Sequence, residues 1–298
     1  MNLTRVLFFK TKIMIITHKF TALTATLTTA MSLLAAPAMA FSVGATNNIQ
    51  TLKNNLLGTN TAGLSNFSLS ITGDARAFGI FTDDPFGLTS GVVLSTGKVT
   101  DIPGENLGRA GNLSTDFAAS GVEGDLTQLN LSFFADSTAE NLFFKYVFGS
   151  DEFLEYAGTS FNDSFELLLN GTNLARLTDG QTVTINNLVP NSGDRSTDHP
   201  DYINNPSVTG LAANIIKLDG YTKVLTFQGL LNKNQTNVLS IRLQDVSDGS
   251  LDTAVFIQGD MGTAEAEAEA VPEPMTVGGL MAGGAMLAAG RKLRARRK

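Results

Sequence analysis

The chain of 298 residues carries 21 basic and 28 acidic residues and no cysteine, which excludes disulfide staples, thiolate metal sites and cysteine nucleophiles. Four basic residues lie in 1–40 and six in 275–298, and neither stretch contains an acidic one. Residues 41–274 therefore hold 11 basic against 28 acidic residues, a formal charge of −17 rather than −7, which repels nucleic acid and attracts cations.

At the front, Lys10, Lys12 and Lys19 precede an apolar run from Phe20 to Ala36. Ala38-Met39-Ala40 then supplies a small-x-small cleavage site before Phe41. Residues 1–40 read as an export signal for the Sec machinery, with Met14 as an alternative start that gives a signal of ordinary length. Residues 41–262 follow as one domain, and about 220 residues are enough to bury a core without staples.

Ile49, Leu52 and Leu56 fall at i, i+3 and i+7, so residues 47–57 read as a short helix with Asn47 as cap and Gly58 as its C′ glycine. Beyond it the period becomes two. Leu129, Leu131 and Phe133 share a face, as do Phe144, Tyr146 and Phe148, then Phe165, Leu167 and Leu169, then Leu239, Ile241 and Leu243. Further strands are expected over 69–73, 91–95, 182–185, 223–228 and 253–258. With alternation this clear, the aromatic run Phe143, Phe144, Tyr146 and Phe148 belongs in a core and not on a sugar-binding face. Short strands, Gly/Asn/Asp turns and no helices between them predict a mainly β fold: an antiparallel β-sandwich or jelly-roll-like domain with a short N-terminal helix. The polar stretches 101–124 and 188–214 read as loops able to carry function.

Acids gather at strand ends. Asp151, Glu152, Glu155, Asn162 and Asp163 follow a hydrophobic strand, and Asp245, Asp248 and Asp252 lie between two others. Hard cations such as Ca²⁺ take six to eight oxygen ligands, so Asp151, Glu152, Asn162, Asp163, Asp245, Asp248 and Asp252 are the candidate metal ligands. The competing reading makes the same residues strand terminators that form Asx-turns. Asp83-Asp84-Pro85 and Thr178-Asp179-Gly180 read as turns. Catalysis finds little support: His199, the sole histidine after residue 40, is expected to sit exposed in its loop, and no nucleophile motif accompanies it. No cofactor other than Ca²⁺ is suggested.

Residues 263–270 form an acidic Ala-Glu linker. Then come Val271, Pro272, Glu273 and Pro274, an apolar stretch over 275–290, and a basic end of Arg291, Lys292, Arg294, Arg296, Arg297 and Lys298. As a helix, 275–290 spans about 24 Å at 1.5 Å per residue, slightly short of the ~30 Å hydrocarbon core. The basic end would stay cytoplasmic, so a C-terminal transmembrane helix is predicted. This order of segments resembles the PEP-CTERM sorting signal of Gram-negative bacteria. The resemblance implies recognition at Val271–Pro274 by an exosortase, a membrane-embedded cysteine transpeptidase, after a transient hold in the inner membrane.

The body resembles the choice-of-anchor L domain, a bacterial surface module. The matching stretches are Leu88-Thr-Ser-Gly-Val-Val-Leu-Ser-Thr-Gly97, Phe144-Lys-Tyr-Val-Phe-Gly-Ser-Asp-Glu-Phe153, Tyr156, Phe161-Asn-Asp163, Asn170-Gly171 and Asn173-Leu-Ala175. Asp219-Gly-Tyr-Thr222 and the segment from Asp245 to Ile257 continue the match. The family's usual Ser-Glu-Glu-Tyr stands here as Ser150-Asp151-Glu152-Phe153, which keeps the acids and loses a hydroxyl. The resemblance implies an exported β domain and no reaction. The expectation is a non-enzymatic matrix or adhesion protein of the cell surface, Ca²⁺-stabilised and in contact with extracellular polysaccharide. Its alternative is an extracellular polysaccharide hydrolase in which Asp151 or Glu152 works against Asp163.

Overall fold

Alternation of buried and less buried positions is unbroken along 126–135 and nearly so along 235–244, and it decides which faces meet. The computed structural model describes residues 40–108, 113–117, 124–153, 155–247 and 249–263. The chain divides into two units, Met1–Ala38 and Met39–Lys298, and all described residues belong to the second. The export signal up to residue 39, the linker from 264, Val271–Pro274, the 275–290 helix and the basic end lie outside the described residues.

First come β1 (Ser42–Ala45), α1 (Ile49–Leu56), β2 (Leu64–Thr72), β3 (Phe78–Thr82) and β4 (Ser90–Ser95). β5 (Leu126–Ala135), β6 (Asn141–Ser150), β7 (Ser164–Leu169), the two-residue β8 (Thr172–Asn173) and the one-turn helix α2 (Ile185–Leu188) follow. β9 (Tyr202–Asn204), β10 (Gly220–Thr222), β11 (Leu225–Leu230), β12 (Gln235–Gln244) and β13 (Thr253–Gln258) complete the series. One sheet runs β1-β3-β4-β13-β6-β10-β9, with β11 also on β6, and the other runs β2-β5-β12-β7-β8. All their pairings are antiparallel.

The larger core lies between the sheets. Leu129, Leu131 and Phe133 of β5, Phe165 and Leu167 of β7, and Leu239 and Ile241 of β12 meet Phe144, Tyr146 and Phe148 of β6. Phe165 makes the join from one sheet to the other, with its ring 5.4 Å from Tyr146 and 5.7 Å from Phe148. The outer face of the first sheet is buried too. Val93, Val147, Ala254 and Phe256 lie under Ile102, Leu113, Ala212, Ile216 and Leu218, which come from the connecting segments. That is why β4 and β13 read as unbroken apolar runs: a strand covered on both faces has no reason to alternate.

The structure revises several local expectations. The cap of α1 is Asn48, whose Oδ1 accepts from Thr51 N at 2.9 Å, not Asn47. Gly58 has no positive φ; it is there because a Cβ would run into the backbone of Asp260, which passes alongside. Residues 182–185 form no strand: Thr182 and Thr184 make single bridges to Arg176 and Ser164, and Ile185 begins α2. The expected strand over 223–228 is β11, which starts two residues later and runs to Leu230. β1, β3, β8, β9 and β10 were not anticipated. Among the described residues no helix is long and apolar enough to cross a membrane.

Candidate functional site

Six strand boundaries at one end of the sandwich share a rule. Asp125 precedes β5, Asp151 follows β6, Asp163 precedes β7, Asp219 precedes β10, Asp245 follows β12 and Asp252 precedes β13. The registers bring these boundaries together, because Leu126 and Ser164 both pair with Gln244, while Thr253 and Gly220 both pair with Ser150. The result is a collar of aspartates, none more than 5% exposed. Asp is a good strand terminator, since its carboxylate accepts the N–H groups that the ladder no longer uses.

The collar holds the segment that covers the sheet. Leu113 N donates to Asp151 Oδ2 at 3.0 Å, Thr115 N to Asp252 Oδ1 at 3.0 Å, and Phe117 N to Asp125 Oδ2 at 2.7 Å. Donors two residues apart point the same way along an extended chain. Three carboxylates thus stand where a neighbouring strand would place its carbonyls. Asp163 ties the collar to itself: its Oδ1 accepts from Val246 N at 3.0 Å and its Oδ2 from the Thr253 hydroxyl. On the far side of β10, Asp219 Oδ1 accepts from Asn106 Nδ2 at 2.8 Å, and the same amide reaches Asn205 O at 2.8 Å. Gly97 is required beside the collar, because a Cβ there would overlap the Asp252 carboxylate.

Packing so many acids together shifts their protonation. Burial, then the charge of Asp151 and of Glu155, pushes Asp219 up to about 8 against the Asn106 hydrogen bond. Burial, then the charges of Asp125, Asp101 and Asp163, pushes Asp252 up to about 7 although the Thr115 N–H opposes it. Burial raises Glu155 as well, while its hydrogen bond with Asp219 works the other way.

A carboxyl raised in the folded state gives up its proton sooner in the unfolded chain. The stability it supports is complete below about pH 4, the unfolded value, and is lost as pH climbs through the folded one. Half-buried Asp74 and Asp136 and exposed Asp179 and Asp194 run oppositely: hydrogen bonds from Arg76, Thr138, Gln181 and Ser196 hold them low. Their contribution is lost only below about pH 4. Melting temperature is therefore expected to be higher at pH 5 than at pH 8. Asp219→Asn, which keeps Oδ1 for Asn106, should raise stability at pH 8 by about 1–3 kcal/mol and leave pH 5 nearly unchanged. Equal melting temperatures at the two pH values would sink this account.

The candidate ligands part company here. Asp151, Asp163 and Asp252 come together, with Asp151 N donating to Asp252 O at 3.2 Å, and Asp245 N is bound to Asp125 O at 3.0 Å. Glu152 is buried beside them, its N–H on the Ser150 hydroxyl. Asn162 faces elsewhere, accepting from Asn186 N of α2 at 2.9 Å. Asp248 lies outside the described residues. Among the described residues no three His, Cys, Asp or Glu side chains are arranged to hold one metal ion.

Asp125, Asp219 and Asn106 were missed as site residues. The available signal was an Asp directly before a strand, visible in Asp219-Gly-Tyr-Thr222. His199 corrects an expectation outright. It is 9% exposed, with Nε2 3.2 Å from Asp179 and Nδ1 accepting the Asp201 N–H at 3.1 Å. Asp201 is itself bound to Thr178 N and Oγ1, so this group pins the Thr178-Asp-Gly180 turn to the 188–204 segment. The turn and Asp83-Asp84-Pro85 form as expected, the latter with Asp84 Oδ1 accepting from Phe86 N and Leu88 N.

A family model described as the Choice-of-anchor L domain matches residues 42–261. No match was found among curated proteins or among solved structures. The matched span begins with the first residue of β1 and ends at Met261, which bridges to Leu57 beside α1. It takes in every strand of both sheets and the whole collar. The chain therefore belongs to the choice-of-anchor L domain family, which implies an exported protein of the cell surface.

Proposed function

We propose that the protein is a non-enzymatic structural or adhesive module of the cell surface or extracellular matrix. It is delivered through the Sec route, held briefly in the inner membrane by 275–290, and released by an exosortase-type enzyme acting at Val271–Pro274. The observation that carries the non-enzymatic part is the direction in which the acids face. Asp151, Glu152 and Asp163, the residues a polysaccharide hydrolase would draw on, are all buried, and Asp151 and Asp163 accept N–H and O–H groups of their own chain. A general acid or nucleophile must reach its substrate within hydrogen-bond distance. Sorting rests on the order of the C-terminal segments and on family membership.

Ca²⁺ belongs to this reading as a stabiliser of the collar, where a divalent ion would take the place of the protons on Asp219 and Asp252. It would have to draw the carboxylates away from bonds they now make. Two measurements decide. Mass spectrometry of the protein recovered from the cell surface should find the chain ending before Arg291; an intact basic end means permanent anchoring without processing. Melting at pH 8 in Ca²⁺ and in chelator should differ if the ion binds, and coincident curves remove Ca²⁺ from the proposal. Polysaccharide cleavage lost in Asp163→Asn and in Asp151→Asn or Glu152→Gln, with the fold intact, would establish the hydrolase instead.

A further inference from the structure

A cavity of about 380 Å³ opens beside β1, lined by Ala40, Phe41, Asp83, Asp84, Pro103 and Ile215 among others. Ser42 pairs with Thr82 at the end of the β1–β3 ladder, and the residues just beyond, Ala40 and Phe41 on one chain and Asp83 and Asp84 on the other, line the cavity together. Asp84 uses Oδ1 for the N–H groups of Phe86 and Leu88, whereas its Oδ2 is shielded from solvent and accepts no hydrogen bond. Phe41 is held by its own ring, which packs 6.1 Å from Phe256 on the second core. Ala40 and Phe41 both line the cavity, which puts the peptide bond between them at its wall.

In the uncut chain the nitrogen of that bond is a neutral amide. Hydrolysis of the Ala40–Phe41 bond consumes one water, leaves a carboxylate on Ala40 and creates an α-ammonium on Phe41. An α-amino group has an ordinary pKa of about 7.7–8.0, so the new end is charged at neutral pH. We propose that this cavity is the seat of the mature α-ammonium, with Asp84 and Asp83 as its counter-ions. The proposal rests on the reading of residues 1–40 as a cleaved export signal. Signal removal then does more than release the domain: it supplies the cation that completes the edge of the first sheet at β1.

The test uses the exported protein as cells release it. Terminal sequencing comes first, and a terminus other than Phe41 removes the cleavage reading and the seat together. With Phe41 established, the α-amine is acetylated under mildly acidic conditions that spare lysine. Acetylation is expected to lower the melting temperature of the wild type by about 2–4 °C and of Asp84→Asn by less than about 1 °C. Asn keeps an Oδ1 for Phe86 and Leu88, so the variant removes charge and not the turn. Asp83→Asn serves as the second variant, since Asn tolerates the left-handed backbone found there, with φ of 56°. No effect in the wild type, or equal effects in wild type and both variants, overturns the seat while leaving export intact.

Discussion

Asp163→Ala should lower stability by about 2–5 kcal/mol, because it strips acceptors from two inward-facing donors, each costing about 1–3 kcal/mol when left unmet. Those donors are Val246 N, at the end of β12, and the Thr253 hydroxyl at the start of β13, which also touches Ser150 Oγ at 3.0 Å. One carboxylate thus joins the β6–β7 connection to the ends of β12 and β13, one in each sheet. For a domain of this size each kcal/mol moves the melting temperature by about 2–4 °C. Asp163→Asn should cost less than half as much, since Oδ1 stays and the Thr253 hydroxyl can rotate to accept from the new amide. Equal losses in both variants would mean that charge, and so ion binding, matters more than hydrogen bonding.

Phe165→Ala is expected to cost about 3–5 kcal/mol, the usual range for a fully buried phenylalanine whose cavity cannot collapse. The site has no slack. Its ring lies 5.7 Å from Phe148 in a stacked arrangement and 5.4 Å from Tyr146, and both partners belong to the opposite sheet. Phe165→Leu should retain more than half of the lost stability. A denaturant midpoint that falls at constant slope would confirm a loss of packing; a changed slope would point to an altered unfolded state instead.

The strands legible in the sequence were those with one wet face. β5, β7 and β12 alternate, and alternation fixes both the element and the buried side. β4 and β13 were found as apolar runs, but nothing in them announced that loops would cover their outer face. β1 and β3 escaped for a different reason. β3 contains Gly79, which looks like a breaker, yet a Cβ there would come within 2.7 Å of Gly44 O in β1. The glycine marks two strands in close approach, a fact invisible until both are paired.

The acids were legible as residues and not as an arrangement. Asp151, Asp163 and Asp252 were singled out because they cluster in sequence with other acids. Asp125 and Asp219 stand almost alone in sequence and were overlooked, although register places them at the same sheet ends. Spacing along the chain measured the wrong distance. The useful signal was position relative to a strand boundary. His199 teaches the same lesson in part: Asp201 is only two residues away, but Asp179 comes from a turn that no local pattern connects to it.

β13, the last strand before residues 264–298, is not at an edge; it lies between β4 and β6, antiparallel to both. Tension entering the domain from its C-terminal side therefore pulls along that strand and strains both flanking ladders in shear, all rungs sharing the load. A terminal strand at a sheet margin would instead peel away rung by rung at far lower force.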